Sequence, residues 1–183
     1  MESKIILGID PGTNLMGWAV LSVEDKKLKP LAIGVLELTK IKEAFQKLQR
    51  IFEEVCGLIT KYHPHDLAIE APFYGKNVQS MLKLGRAQGM AIAAALAHKL
   101  PVYEYAPRKV KLSITGRGAA SKEQVAIMLQ KTVPMVQAPV QWDATDALAV
   151  AICHHYQSQH TTPSSSTPKS WEAFVSLHPH RIK

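Results

Sequence analysis

The sequence predicts an α/β domain in which five strands form one mixed sheet flanked by helices. Three short apolar runs separated by turns come first, which favours antiparallel strands at the N-terminal end. Further along the chain, strand-like runs alternate with helical patterns, as they do where parallel strands are joined through helices. The length of 183 residues suits one ordinary domain of this kind.

The strands are expected at residues 5–9, 17–23, 31–38, 67–70 and 102–105, and the helices at 42–62, 77–98 and 143–156, with another helix starting at Ser121. A polar turn at 24–27 separates the second and third strands. The first helix is the clearest, because its apolar residues recur at spacings of three and four: Phe45, Leu48, Ile51, Phe52, Val55 and Ile59.

The C-terminal segment differs in composition from the rest of the chain. From about residue 158 the apolar periodicity is lost and a Thr-Thr-Pro-Ser-Ser-Ser-Thr-Pro run follows, which predicts one folded domain over 1–157 and a disordered tail over 158–183. Cys56 and Cys153 form no Cys-x-x-Cys pair, so neither a disulfide framework nor a zinc ribbon is expected. No apolar run approaches the ~20 residues of a membrane span, and the N-terminus lacks the pattern of a signal peptide. We expect a reduced, cytosolic, soluble protein.

The positive charge of the chain is concentrated in one segment. Lys and Arg number 22 against 15 Asp and Glu, which gives a formal net charge of +7. Residues 76–131 contain ten Lys or Arg but only Glu104 and Glu123, a local charge of +8, so the rest of the chain sums to −1. Such a local excess indicates a polyanionic partner such as nucleic acid or an anionic surface.

Four carboxylates lie at the ends of expected elements. Asp10 and Glu70 each follow a buried strand, and Asp143 and Asp146 share one face at the start of the last helix. Each has an ordinary alternative: a turn-forming Asp, a solvent-facing strand end, or acids favoured by the helix dipole. Together they suit Mg²⁺, which prefers oxygen ligands, and two such ions can support phosphodiester hydrolysis.

Several motifs occur in the order found in one family: Gly8-Ile9-Asp10-Pro11-Gly12-Thr13, Ala68-Ile69-Glu70, Lys76-Asn77, Leu82-Lys83-Leu84-Gly85 and Asp143-Ala144-Thr145-Asp146-Ala147-Leu148-Ala149. From about Ile5 to His154 the chain resembles the RuvC-type Holliday junction resolvases, dimeric endonucleases of the ribonuclease H-like superfamily. The resemblance implies a five-stranded mixed sheet and symmetric nicking of two strands of a four-way DNA junction. It also implies that Asp10, Glu70, Asp143 and Asp146 are catalytic acids that bind Mg²⁺, with two ions per site and with Mn²⁺ able to substitute.

The same resemblance assigns residues that contact DNA. Phe73 corresponds to the aromatic residue that contacts bases, although the adjacent Tyr74 is an alternative, and Lys111 and Lys122 correspond to lysines at or near the active site. The remaining candidates from the basic segment are Lys76, Lys83, Arg86, Arg108, Lys109 and Arg117. Basic runs are also common on solvated faces, so these assignments are expectations.

Two further expectations concern partners. Gly85 and Gly89 lie inside a helix, where each costs about 1 kcal/mol relative to Ala, so close approach of another helix is expected there. The alternatives are packing against the sheet of the same chain and, by resemblance, a homodimer interface. Relatives act with the RuvA–RuvB branch-migration machine. The His154-His155 pair is interpreted as a helix C-terminus.

Two other functions compete with this interpretation. Actin-like kinases and ATPases also place Asp-x-Gly-Thr after a strand, but they need two such domains and a second phosphate loop, which we do not expect in 183 residues. A non-catalytic junction-binding protein would keep the basic surface and lose an acid, whereas all four acids are present.

Overall fold

The computed structural model describes residues 3–25, 27–72, 77–133 and 142–160, without the side chains of Trp142, Asp143 and His160. The strands are β1 Lys4–Asp10, β2 Leu15–Glu24, β3 Lys27–Glu37, β4 Asp66–Glu70 and β5 Val102–Tyr105. The helices are α1 Ala44–Tyr62, α2 Val78–Ala97, α3 Pro107–Thr115, α4 Lys122–Thr132 and α5 Trp142–His160. None of the helices in this described part of the chain has the length and apolar character needed to cross a membrane.

The five strands form one mixed sheet in the order β3-β2-β1-β4-β5. Strand β2 pairs antiparallel with both β1 and β3, whereas β4 pairs parallel with β1 and β5. The predicted fold class and strand number are therefore confirmed. Strands β1 and β4 run in the same direction, so their carboxyl ends reach the same edge of the sheet.

Helices cover both faces of the sheet, and side-chain alternation in the strands separates two apolar layers. Ile6 and Ala68 face the layer that includes α3, α4 and α5, while Leu7 and Ile69 face the layer of α1 and α2. Helix α5 is buried almost all round, with every residue from Ala147 to Cys153 at most 1% exposed. The central helix of the fold is thus α5.

The close fit of α5 on β1 depends on one glycine. A Cβ built on Gly8 would lie 2.3 Å from the carbonyl oxygen of Ala147 and 2.9 Å from the Cβ of Ala151. These distances are far below van der Waals contact, so any side chain at position 8 would push the helix away from the strand. Gly8 therefore sets the separation of α5 and β1.

Most differences from the expected elements lie at their ends. Strand β3 begins at Lys27, four residues before the predicted start. The polar residues and Pro30 in this segment concealed its strand character in the sequence. Pro30 is tolerated since β3 is an edge strand of the sheet, and the register shifts beside it, between Val20 and Leu21 of β2. Helix α3 was not delimited by the sequence pattern. Helix α5 continues to His160, so the predicted helix end at 156 and the predicted start of the disordered tail at 158 are both wrong: residues 158–160 are helical. The rest of the predicted tail, residues 161–183, lies outside the described residues.

We predict that Gly8→Ala lowers the free energy of unfolding by about 1–3 kcal/mol, because the added methyl group overpacks the α5–β1 contact. Denaturant unfolding measures this change. The matched control is Gly57→Ala on α1, where a Cβ would meet nothing within 4 Å. In that exposed helix interior the same substitution should stabilise the protein by about 0.5–1 kcal/mol. Equal stability of Gly8→Ala and wild type would contradict the close contact.

Candidate active site

Three of the four predicted carboxylates meet at one edge of the sheet. Asp10 and Glu70 end adjacent parallel strands whose register pairs Ile9 with Ile69. Both acids alternate onto the α5 face, because Gly8 and Ala68 before them face that helix. Asp146 lies on the first turns of α5, next to Ala147, whose carbonyl oxygen approaches Gly8. The side chain of the fourth acid, Asp143, is outside the described residues.

These three acids line a cavity of about 120 Å³ together with two lysines. Lys111 reaches it from α3 and Lys122 from the start of α4, and the apolar wall includes Val110, Val125 and Ala149. Ser121 begins α4 with a capping box, in which its hydroxyl accepts from the amide of Gln124 while the Gln124 side chain accepts from the amide of Ser121. This cap fixes the position of Lys122, the next residue.

One ion pair connects the lysines with the carboxylates. The Nζ of Lys122 donates to Oδ2 of Asp146 at 2.7 Å. The Asp146 side chain is 19% exposed and that of Lys122 is 57% exposed, so the pair lies at the mouth of the cavity. The lysine therefore partly neutralises the carboxylate edge from the solvent side.

The ionisation of Glu70 reflects this crowding. Burial, followed by the nearby carboxylate of Asp146, raises the pKa of Glu70 to about 7, although Lys122 and Lys111 act in the opposite direction. Burial is thus the main reason that Glu70 resists ionisation, and the carboxylate of Asp146 adds to it. Such a set of hard oxygen donors suits a divalent cation. Among the described side chains, however, no group of three or more His, Cys, Asp or Glu is already arranged to hold a metal ion.

A buried hydrogen-bond network lies behind the site, and the sequence did not reveal it. The hydroxyl of Tyr105 lies 2.7 Å from Nδ1 of His154, whose Nε2 lies 2.9 Å from Oδ2 of Asp66. Lys4 also pairs with Asp66. Burial lowers the pKa of His154, outweighing the hydrogen bond to Asp66, and burial raises the pKa of Tyr105 to about 12. A neutral imidazole that donates to Asp66 and accepts from Tyr105 satisfies all three groups.

The network ties the elements that carry the carboxylates. Tyr105 is the register partner of Glu70 across β4 and β5, and His154 lies on the helix of Asp146. The interpretation of His154-His155 as a helix C-terminus is wrong, because both residues are buried and α5 continues to His160. No local spacing could have signalled the network, since His154 is 88 residues from Asp66 and 49 from Tyr105.

The other predicted DNA-binding residues that belong to the described ranges do not line the acidic cavity. Arg108 and Lys109 are exposed on α3, and Arg117 is exposed in the connection from α3 to α4. Lys83 and Arg86 lie on α2, on the opposite face of the sheet. Phe73, with its alternative Tyr74, and Lys76 lie outside the described residues. The basic segment is thus divided between the two faces.

A comparison with protein families matches residues 6–154 to the family described as crossover junction endodeoxyribonuclease RuvC. The chain is 52% identical over 182 residues to the protein of that name from Christiangramia forsetii, covering 100% of this chain and 94% of the relative. The protein of that name from Bacteroides fragilis is 50% identical over 185 residues, covering 100% and 98%.

Solved structures agree with these sequence matches. The structure described as Thermus thermophilus RuvC in complex with Holliday junction substrate aligns with a TM-score of 0.80 at 30% identity, covering 87% of this chain and 97% of that chain. The yeast mitochondrial Holliday junction resolvase Ydc2 shares the fold, with a TM-score of 0.65 at 15% identity over 86% and 81% of the two chains. With its fold, its matched residues and these relatives taken together, the chain belongs to the RuvC family of crossover junction endodeoxyribonucleases.

Proposed function

We propose that this protein resolves Holliday junctions in recombination and repair by nicking two strands symmetrically. The observation that carries the proposal is the cavity at the sheet edge, where Asp10, Glu70 and Asp146 meet Lys111 and Lys122. Carboxylates beside lysines suit phosphodiester hydrolysis, since the acids can bind cations while the lysines contact phosphate. The proposal extends to this chain the substrate named for the Thermus thermophilus relative.

The metal ligands in this proposal are Asp10, Glu70, Asp146 and Asp143, and the ion is Mg²⁺, with Mn²⁺ able to substitute. The crowding of these acids supports it, because burial and the nearby Asp146 carboxylate raise the pKa of Glu70 and a bound cation would favour its ionised form. Four carboxylates suffice for two ions, which is the number we propose. When bound, the ions would supply positive charge that polarises the scissile phosphate and acidifies water. The ion pair between Lys122 and Asp146 would break when Asp146 binds a cation.

The chain's own lysines contact and stabilise the phosphate. Lys122 and Lys111 face the cavity and stabilise negative charge on the phosphate during in-line attack by water. Glu70 carries its proton up to about pH 7 only without a cation, and a bound cation would hold it in the ionised form. The products are nicks with 5′-phosphate and 3′-hydroxyl ends. Phe73 is proposed to contact bases, with phosphate contacts from Lys76, Lys83, Arg86, Arg108, Lys109 and Arg117.

A second copy of the chain is the partner we propose for α2. Val78, Leu82 and Leu96 are 64%, 53% and 62% exposed, and with Gly85 and Gly89 they follow one stripe of the helix. A Cβ at either glycine would meet nothing within 4 Å, so packing inside the described chain does not explain these glycines. Close approach of the same helix from a second subunit explains both the glycines and the exposed apolar residues. A homodimer also provides two active sites for two strands.

The remaining partner and the location follow from the family. We propose that the RuvA–RuvB branch-migration complex delivers the junction and that the protein acts in the cytoplasm, where bacterial DNA is found. No observation on the described surface favours an actin-like phosphotransferase.

Replacing one carboxylate tests the catalytic assignment. We predict that Asp10→Asn lowers the rate of nicking of a synthetic four-way junction in Mg²⁺ by more than about 100-fold, since even indirect partners of a metal commonly contribute about 10–100-fold. Binding of the junction should persist. Asp25→Asn at the exposed β2–β3 turn is the matched control and should cleave as wild type does. Nicking by Asp10→Asn at the wild-type rate would refute the assignment, as would a wild type that binds and never cuts.

The ionisation of Glu70 predicts a pH dependence of stability in the absence of divalent cations. The native state retains a proton up to about pH 7 that the unfolded state releases near 4.5, so wild-type stability falls as pH rises through this window. Relative to Glu70→Gln, wild type should lose up to about 3 kcal/mol between pH 4.5 and pH 8. Unfolding in EDTA at both pH values measures the difference. Glu37→Gln on the exposed end of β3 is the control and should not alter the pH profile, while parallel profiles for wild type and Glu70→Gln would contradict the raised pKa.

The homodimer predicts that a charge in the α2 stripe separates the subunits. Leu82→Glu should convert a species of twice the chain mass into a monomer, as measured by light scattering during gel filtration. Ile127→Glu on α4 is the matched control, since Ile127 is also apolar and 52% exposed on a helix, and it should remain dimeric. A monomeric wild type, or a Leu82→Glu variant that stays dimeric, would rule out this interface.

A further inference from the structure

A second cavity, of about 340 Å³, lies between the first turns of α1 and α2. We refer to it as the α1–α2 groove. Its charged lining consists of Lys42 and Lys47 on one side and Lys83 and Arg86 on the other. Thr13 and Asn14, from the loop after β1, line it as well. The groove is larger than the acidic cavity and opposite to it in charge.

The cations of the groove lack charge partners within the described residues. No acid is among the described residues that line it, and none of the four cations belongs to an ion pair there. The Nζ of Lys47 donates instead to neutral acceptors, the carbonyl oxygen of Thr13 at 3.0 Å and Oδ1 of Asn14 at 3.3 Å. Four like charges that line one cavity repel one another, and an anion in the groove would remove this cost.

The position of the groove relates it to the acidic cavity. Asp10 lines the acidic cavity and Thr13 lines the groove, and these residues are three positions apart in one connection. Three residues span at most about 10 Å, which equals the rise of about three nucleotides of a strand in duplex DNA. One DNA strand can therefore occupy both sites, passing over the loop from one face of the sheet to the other.

An exposed aromatic ring lies at the same groove. Phe45 is 77% exposed at the start of α1 and lines the groove beside Lys42. A large apolar side chain exposed next to unpaired cations is typical of surfaces that bind nucleic acid, where rings stack on bases. A small inorganic anion would leave this ring unused.

We propose that the α1–α2 groove binds backbone phosphates of the DNA strand that continues from the acidic cavity, about three nucleotides from the scissile phosphate. Lys42 and Lys47 thereby join Lys83 and Arg86 as phosphate contacts, and Phe45 supplies a stacking surface for a base. The ligand's identity rests on the proposed junction-cleaving function. The groove thus orients the strand whose scissile phosphate the carboxylates receive.

The test measures the salt dependence of binding to a four-way junction without divalent cations. The variant Lys42→Gln with Lys83→Gln removes one cation from each wall and leaves Lys47, which holds the Thr13–Asn14 loop. Each subunit of the proposed homodimer loses two phosphate contacts, four in all, so the slope of log Kd against log salt should flatten by about 3.6. Between about 0.05 and 0.2 M salt, the affinity advantage of wild type should shrink about 100-fold. Lys42→Arg with Lys83→Arg should keep the wild-type slope.

The matched control changes the opposite ends of the same two helices. Lys61→Gln with Lys99→Gln removes two exposed cations near the C-termini of α1 and α2 and should leave the slope unchanged. An equal decrease in both pairs would overturn the proposal, since it would indicate only a general effect of charge. So would an unchanged slope for the groove pair combined with calorimetric binding of inorganic phosphate that the pair abolishes. If wild type fails to nick the junction in Mg²⁺, the proposed function fails, and this result is separate from the slopes.

Discussion

The contact between α5 and β1 at Gly8 determines where Asp10 and Asp146 lie relative to each other. Because nothing larger than hydrogen fits between Gly8 and the carbonyl oxygen of Ala147, the helix lies directly on the strand. Asp10 is two residues beyond Gly8, and Asp146 immediately precedes Ala147, so one backbone contact places both acids. The hydrogen bonds from Tyr105 through His154 to Asp66 hold the far half of the same helix. The site therefore depends on backbone packing as much as on its own side chains.

The close packing of carboxylates at the site lowers the electrostatic stability of the fold. Bringing Glu70 and Asp146 to one partly buried edge keeps a proton on Glu70 up to about pH 7, even with two lysines at the cavity. A fold selected only for stability would gain by replacing one of these acids. The surplus negative charge becomes useful once a cation binds, because binding then releases a proton and removes the repulsion. The crowding of carboxylates, which destabilises the metal-free protein, is thus the feature that the proposed chemistry requires.

Residues whose position follows from the local sequence pattern were predictable, whereas contacts between segments distant in the sequence were not. The acids at 10 and 70 were predictable because each directly follows a buried strand, and Asp146 because it shares a helix face with Asp143. Helix α3 was concealed because its lysines and arginine outnumber its two buried residues, Val110 and Ile114. His154 was misinterpreted because its partners, Asp66 and Tyr105, come from strands distant in sequence. The start of β3 was missed because edge strands tolerate Pro30.

The charge pattern illustrates the same limit and leads to a constraint on the substrate. The basic segment over 76–131 is continuous in sequence, but it contains α2 on one face of the sheet and α3 and α4 on the other, joined through the edge strand β5. Its cations are therefore divided between the two faces. Lys83 and Arg86 join Lys42 and Lys47 at the α1–α2 groove, whereas Lys111 and Lys122 face the acids. A duplex that lies flat on one face contacts only one of these sets, whereas a strand that passes over the loop after β1 contacts both. Branched DNA, whose strands diverge at the crossover, can engage both at once, so the fold itself favours a substrate that bends around the edge of the sheet.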